Sequence, residues 1–176
     1  MKKFLLALPL AALVACGGSK SGASYSDKDV LMSADIDGMA GWIGDPNALV
    51  RGEAHSGAYC LRVDQNHEFS PGYTAVLGQL SPTRIKGVKL EAWVYATDKN
   101  SAGKLEFVLK DGSGAEVMRD QTHLEEVKDY GKWVLVSKDI MFPPSTNYTS
   151  TITLYASRAG ATTPAFVDDI KLIALR

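Results

Sequence analysis

Apolar and polar residues alternate with a period of two through most of the chain beyond residue 27. Val30, Met32, Ala34 and Ile36 share one set of alternate positions, and Tyr59, Leu61 and Val63 share another. Tyr73, Ala75 and Leu77 follow a Pro71-Gly72 turn. Val88, Leu90, Ala92 and Val94 stand opposite Lys89, Glu91, Trp93 and Tyr95, and Leu105, Phe107 and Leu109 opposite Glu106 and Lys110. The turn sequence Asp111-Gly112-Ser113-Gly114 leads into a short strand predicted over Ala115–Met118. Further strands are predicted over Lys132–Ile140, with Trp133 and Leu135 on one face, around Ile152, Leu154 and Ala156, and over Phe166–Leu175. Successive side chains of a strand point to opposite faces, so this alternation marks strands with one buried side. Only His123–Asp129 reads as a helical turn, and no long stretch keeps a 3.6-residue period. Many short strands separated by Gly, Pro, Asn and Asp argue for an all-β antiparallel β-sandwich. With no internal repeat and no second linker, residues 27–176 read as one domain.

The first residues follow a different rule. Lys2 and Lys3 precede an apolar run from Phe4 to Val14, which ends in Leu13-Val14-Ala15-Cys16. A basic start, a short apolar stretch and a small residue before the cut make a secretory signal, here 1–15. The run falls short of the ~20 apolar residues of a membrane span. Its last four residues resemble the bacterial lipobox, which implies cleavage before Cys16 and acylation of that cysteine. Gly17 stands where a retention-type Asp would hold a lipoprotein at the inner membrane, so resemblance to Gram-negative lipoproteins points to the outer membrane. Residues 16–26 are rich in Gly and Ser, cannot bury enough apolar area to fold, and read as the lipidated cysteine and a flexible tether.

The formal net charge is -1, and loss of Lys2 and Lys3 makes the mature chain more negative, with no basic face to suit nucleic acid. With Cys16 acylated, Cys60 is left without a disulfide partner. It lies in a strand on the face away from Tyr59, Leu61 and Val63, as a small half-buried side chain. The histidines His55, His67 and His123 have no metal-ligand spacing, and no nucleophile elbow or zinc-protease motif occurs. Asp168 and Asp169 alternate faces on a strand, so they do not form the facing pair that glycoside hydrolysis needs. An enzyme is not expected. His55 reads as part of a turn, His67 and His123 as loop residues, and Asn147-Tyr148-Thr149 as a surface loop.

Ala54-His55-Ser56-Gly57-Ala58-Tyr59-Cys60-Leu61-Arg62-Val63 resembles the "His-Ser-Gly-x-Tyr-x-Leu-x-Val" strand entry of jelly-roll carbohydrate-binding modules of the galactose-binding-like type. Gly87–Ala96 with Trp93 resembles their central "x-Trp-Val" strand. Gly131-Lys132-Trp133-Val134 and Phe166-Val167-Asp168-Asp169-Ile170 resemble their last third. The resemblance implies jelly-roll topology and a structural Ca²⁺. The ligands carried over by motif are Asp35 or Asp37, Glu53, main-chain oxygens near Ser56 and Ala58, and Asp168. Mixed carboxylates and carbonyls suit that hard cation. Each motif also has a purely structural account: Ser56-Gly57 makes a turn, and Trp133 packs in the core or at a sheet edge.

Sugars stack on exposed rings and are oriented by charged and amide groups. Trp93 and Tyr95 share a face with Glu91 and Lys89, and Arg62 joins them from a neighbouring strand. Trp42, Tyr73, Tyr130 and Tyr148 lie in or near loops. The leading expectation is a lipid-anchored, non-catalytic envelope protein binding a polysaccharide or oligosaccharide on the Trp93 face. The alternative is a structural or interaction lipoprotein contacting an envelope protein partner. The exposure of Trp93 and Tyr95 discriminates between them.

Overall fold

The computed structural model describes residues 26–176; the expected signal peptide, Cys16 and the expected tether up to Tyr25 lie outside the described residues. Eleven strands follow in chain order: β1 (Val30–Ala34), β2 (Trp42–Ile43), β3 (Leu49–Arg51), β4 (Tyr59–Val63), β5 (Gly72–Val76), β6 (Gly87–Ala96), β7 (Lys104–Lys110), β8 (Glu116–His123), β9 (Trp133–Met141), β10 (Thr151–Ser157) and β11 (Ala165–Leu175). They form two antiparallel sheets. The first has the order β3-β4-β11-β6-β9, with β1 also on β11. The second has the order β2-β5-β10-β7-β8.

The alternation read from the chain is the alternation the sandwich uses. Along β6, Val88, Leu90, Ala92 and Val94 are buried while Lys89, Glu91, Trp93 and Tyr95 are half-buried. They meet Leu105, Phe107 and Leu109 of β7 and Ile152 and Leu154 of β10 in one core. Each such side chain removed from water contributes about 1.5–3 kcal/mol. At the open edge between the sheets, Lys138 of β9 pairs with Asp120 of β8 at 2.6 Å.

Three local expectations change. Strand β1 stops at Ala34 and Ile36 does not continue it; Ile36 turns through φ 63° and still buries its side chain. Strand β8 runs to His123, twice the predicted length, because its partner β7 supplies hydrogen-bonding edge as far as Lys104. Cys60 is fully rather than half buried. Of its two expected places Trp133 takes the sheet edge: it lies on the edge strand β9, directly opposite Tyr95 on the outer face of the first sheet, half-exposed. The single helical turn predicted near residue 123 is a 3-10 turn at Leu124–Glu126.

The long closing strand β11 carries the irregularity that matters most. β4 and β1 occupy the same edge of β11 in succession, β4 along Ala165–Val167 and β1 along Ile170–Ile173. Between them the register slips on the other edge too, against β6, between Asp168 and Lys171, and Asp169 takes φ 45°. A bulge of this kind bends its strand and re-aims side chains.

Candidate functional site

On the outer face of the first sheet, antiparallel pairing sets Arg62 of β4 opposite Phe166 of β11, Phe166 opposite Tyr95 of β6, and Tyr95 opposite Trp133 of β9. Two residues further along, Asp168 stands opposite Trp93 and Trp93 opposite Leu135. Tyr95 meets Trp133 and Phe166 edge to face, with centroids 5.7 and 5.9 Å apart. The fold therefore brings Trp93, Tyr95, Glu91, Lys89 and Arg62 onto one face, as expected. Three of the five are engaged within the protein. His55 lies on the Trp93 ring with centroids 3.8 Å apart. Lys89 is held by Asp139 at 2.6 Å, and Arg62 by Asp64 at 3.1 Å and by His67. Burial opposes ionisation of Asp64, yet the hydrogen bonds from His67 and Asn66 and the Arg62 charge hold its carboxyl below the usual range.

What covers Trp93 is the loop between β3 and β4, clasped by the β11 bulge. Because Asp169 is left-handed, Asp168 and Asp169 do not alternate faces as a regular strand would require; both reach this loop. The buried Asp168 accepts from the backbone N–H of His55 at 2.8 Å, Ser56 at 3.1 Å and Asp169 at 2.7 Å. Asp169 takes His55 Nδ1 at 2.5 Å on one oxygen and the Ser56 hydroxyl at 2.7 Å on the other. The Ser56 hydroxyl is thus bonded to the carboxylate and not to the imidazole, so the three groups are not a nucleophile–base–acid relay. From the other side, Asp37 accepts the Ala58 N–H at 3.0 Å. A Cβ on Gly57, at φ 61°, would collide with that carboxylate, so both space and backbone require glycine there.

These same bonds bear on calcium. Asp168 is surrounded by N–H donors, Asp37 faces another, and Asp35 accepts from Gly38 N–H at 3.4 Å. Glu53 is exposed. Among the described residues, no three His, Cys, Asp or Glu side chains converge as a metal-holding group. In this arrangement the Asp168, Asp37 and Asp35 carboxylates each turn to backbone N–H groups. Burial pushes the Asp168 carboxyl above its usual range, against the opposing pull of its N–H donors. Burial likewise pushes the Cys60 thiol up to about 12, assisted by Asp168 and Glu53.

The outer face of the second sheet holds a polar and aromatic cluster that the sequence reading did not assemble. Pairing sets Tyr155 of β10 opposite Glu106 of β7, and Glu106 opposite Gln121 of β8. The buried Glu106 carboxylate accepts from Arg119 Nη1 at 3.2 Å, Gln121 Nε2 at 3.1 Å and the Ser157 hydroxyl at 3.1 Å. Arg119 also donates to the Tyr155 hydroxyl at 2.9 Å, and Lys104 to Gln121 at 3.0 Å. Arg119 is held firmly charged, first by Glu116 and then by Tyr155. Phe69, 53% exposed, stands edge-on to Tyr155 at 5.9 Å. The one signal in the chain was the polar side of each strand: Glu106 alternates with core residues, and Tyr155 stands between Leu154 and Ala156.

The architecture is that of an antiparallel jelly-roll β-sandwich, the class to which many carbohydrate-binding modules belong. No protein-family model matches the chain, and no curated protein matches it. Solved structures do. The CBM22-1 xylan-binding domain of Paenibacillus barcinonensis Xyn10C superposes with TM-score 0.53 at 15% identity, over 84% of this chain and 96% of that one. A family 22 carbohydrate-binding module of Clostridium thermocellum Xyn10B gives TM-score 0.53 at 12% identity, over 85% and 97%. The CBM22-1–GH10 modules of the N-terminal part of Clostridium thermocellum Xyn10B, complexed with xylohexaose, give 0.56 at 17%, over 85% of this chain and 29% of that one. At these identities the likeness establishes the fold.

Proposed function

We propose that this protein is a lipid-anchored, non-catalytic module of the cell envelope, held in the outer membrane through Cys16, that binds polysaccharide on the outer face of its second sheet. The observation that carries the reading is the Phe69–Tyr155 pair beside the Glu106–Arg119–Gln121 row. Aromatic edges and faces take up the apolar side of a sugar, while a charged, hydrogen-bonded row orients its hydroxyls. Three adjacent strands at ~4.8 Å spacing make this row about 10 Å wide, so it suits a chain rather than a single ring. The first sheet is the weaker surface because the His55 imidazole covers the Trp93 ring. The names of the structural neighbours support the sugar class and make xylan the first probe.

The test is a glycan array, followed by titration with xylo-oligosaccharides, on the full-length protein in detergent micelles. Binding that is lost in Tyr155→Ala and kept in Trp93→Ala supports the reading. Binding lost only in Trp93→Ala transfers the site to the first sheet. Silence from a folded protein favours the envelope-protein partner instead.

A further inference from the structure

The first described residues sit at one end of the sandwich, and the C-terminal residue ties them there. Arg176 Nε donates to Asp29 at 2.9 Å, and its Nη1 donates to the Thr83 hydroxyl. Two adjoining surface cavities of about 470 and 500 Å³ open at this same end, sharing Arg84, Ile85, Pro144 and Thr146. Their walls present Arg84, Lys86 and Arg176, and among the described residues lining them there is no Asp or Glu side chain. Arg84 is fixed at the rim by donating to the Pro144 carbonyl at 3.1 Å. Beside the cations, Tyr148 is 77% exposed and Met141 58%. Of the nearby carboxylates, Asp29 is engaged by Arg176, Asp111 by donors of its own turn and Glu116 by Arg119, while Asp27 is exposed beside Lys28.

We infer that this end is the bilayer-facing surface of the protein and docks onto anionic phospholipid headgroups. In this arrangement Arg84 and Lys86 meet lipid phosphate while Tyr148 and Met141 enter the interfacial layer. The inference rests on the acylation of Cys16 in the function proposed above. Two observations select this occupant. The tether joins the domain here, and the residues from Gly17 to Tyr25 extend to at most about 30 Å, so this end is the part of the domain nearest the acylated cysteine. Its charge is also complementary: cations cluster with an exposed tyrosine, the side-chain chemistry of membrane interfaces. Anchoring makes the contact intramolecular, so an affinity too weak to recruit a free domain suffices to orient a tethered one.

The test places single thiols on the full-length lipidated protein, Ser145→Cys at this end and Lys99→Cys at the other. Strand β6 runs between those ends, from Gly87 beside Met141 to Ala96. The buried Cys60 stays unlabelled. Each variant, labelled with an environment-sensitive dye, is reconstituted in vesicles with 30% phosphatidylglycerol or phosphatidylcholine alone, and quenched by headgroup nitroxide lipids. The expected result is quenching several-fold stronger at 145 than at 99 in anionic vesicles, abolished by Arg84→Glu with Lys86→Glu. Equal quenching at both positions, or a preference unchanged by charge reversal or by neutral lipid, overturns the inference. Flotation of the vesicles separates the two readings: protein that floats but shows no preference refutes the docking alone. Protein that does not float refutes the anchor, and the docking with it.

Discussion

The imidazole of His55 lies flat against the indole of Trp93, their centroids 3.8 Å apart and their planes 13° from parallel. Thirty-eight residues separate them in the chain, and the clasp of Asp168 and Asp169 on the intervening loop brings them together. The Trp93 ring is therefore covered on one side by an imidazole. His55→Ala should expose Trp93, shift tryptophan emission to the red and raise its quenching by acrylamide. Stability should fall by about 1–2 kcal/mol, the scale of a stacked aromatic contact plus a charge-assisted hydrogen bond. Unchanged emission would show that the loop shields Trp93 without the imidazole.

Asp168 accepts from three backbone N–H groups. Asp168→Asn puts an amide among those donors and should destabilise the fold by about 1–3 kcal/mol, the cost of a buried polar group left unpaired. Calcium and chelator should each leave the melting temperature of the natural protein unchanged. A calcium-dependent rise would show that the carboxylates rearrange around the ion.

Glu106 holds Arg119, Gln121 and Ser157 in one row. Glu106→Gln keeps the size, but its amide cannot accept from all of these donors. Glycan affinity should fall at least tenfold by calorimetry, with stability reduced by about 1–2 kcal/mol. Full retention of affinity would remove this row from the site.

Cys60 is buried, and its thiol is pushed up to about 12 chiefly by desolvation. At pH 8 the native protein should react with a maleimide or disulfide reagent orders of magnitude more slowly than the protein in guanidinium. Rapid labelling of the native state would place the thiol at the surface.

Asp64 ionises more readily in the folded chain than in the unfolded one. Its contribution to stability is present above the unfolded value near pH 4 and is lost as the pH falls through the lower folded value. Asp64→Asn should melt lower than the natural protein at pH 7, with the gap closing towards pH 3. A gap that persists unchanged at pH 3 would assign the loss to packing instead of charge.

The alternation of β6, β7 and β10 was legible before any coordinates, because which side of a strand faces the core is a local matter. A side chain's face follows from its parity, and burial follows from its polarity. That was enough for the sandwich class, for the inward set from Val88 to Val94, and for placing Lys89, Glu91, Trp93 and Tyr95 on one outer face. Parity says nothing about which strand lies beside which, since pairing is decided by hydrogen bonds between residues far apart in the chain. Only the tertiary structure could set Tyr155 beside Glu106 and Glu106 beside Gln121, and so assemble the row on the second sheet. Parity also fails at a bulge: one extra residue near Asp169 turns two carboxylates expected on opposite faces towards one loop. That loop decides whether Trp93 meets solvent or an imidazole. The chain by itself determined the kind of fold and the side each residue takes, while long-range pairing decided which side chains meet on each outer face.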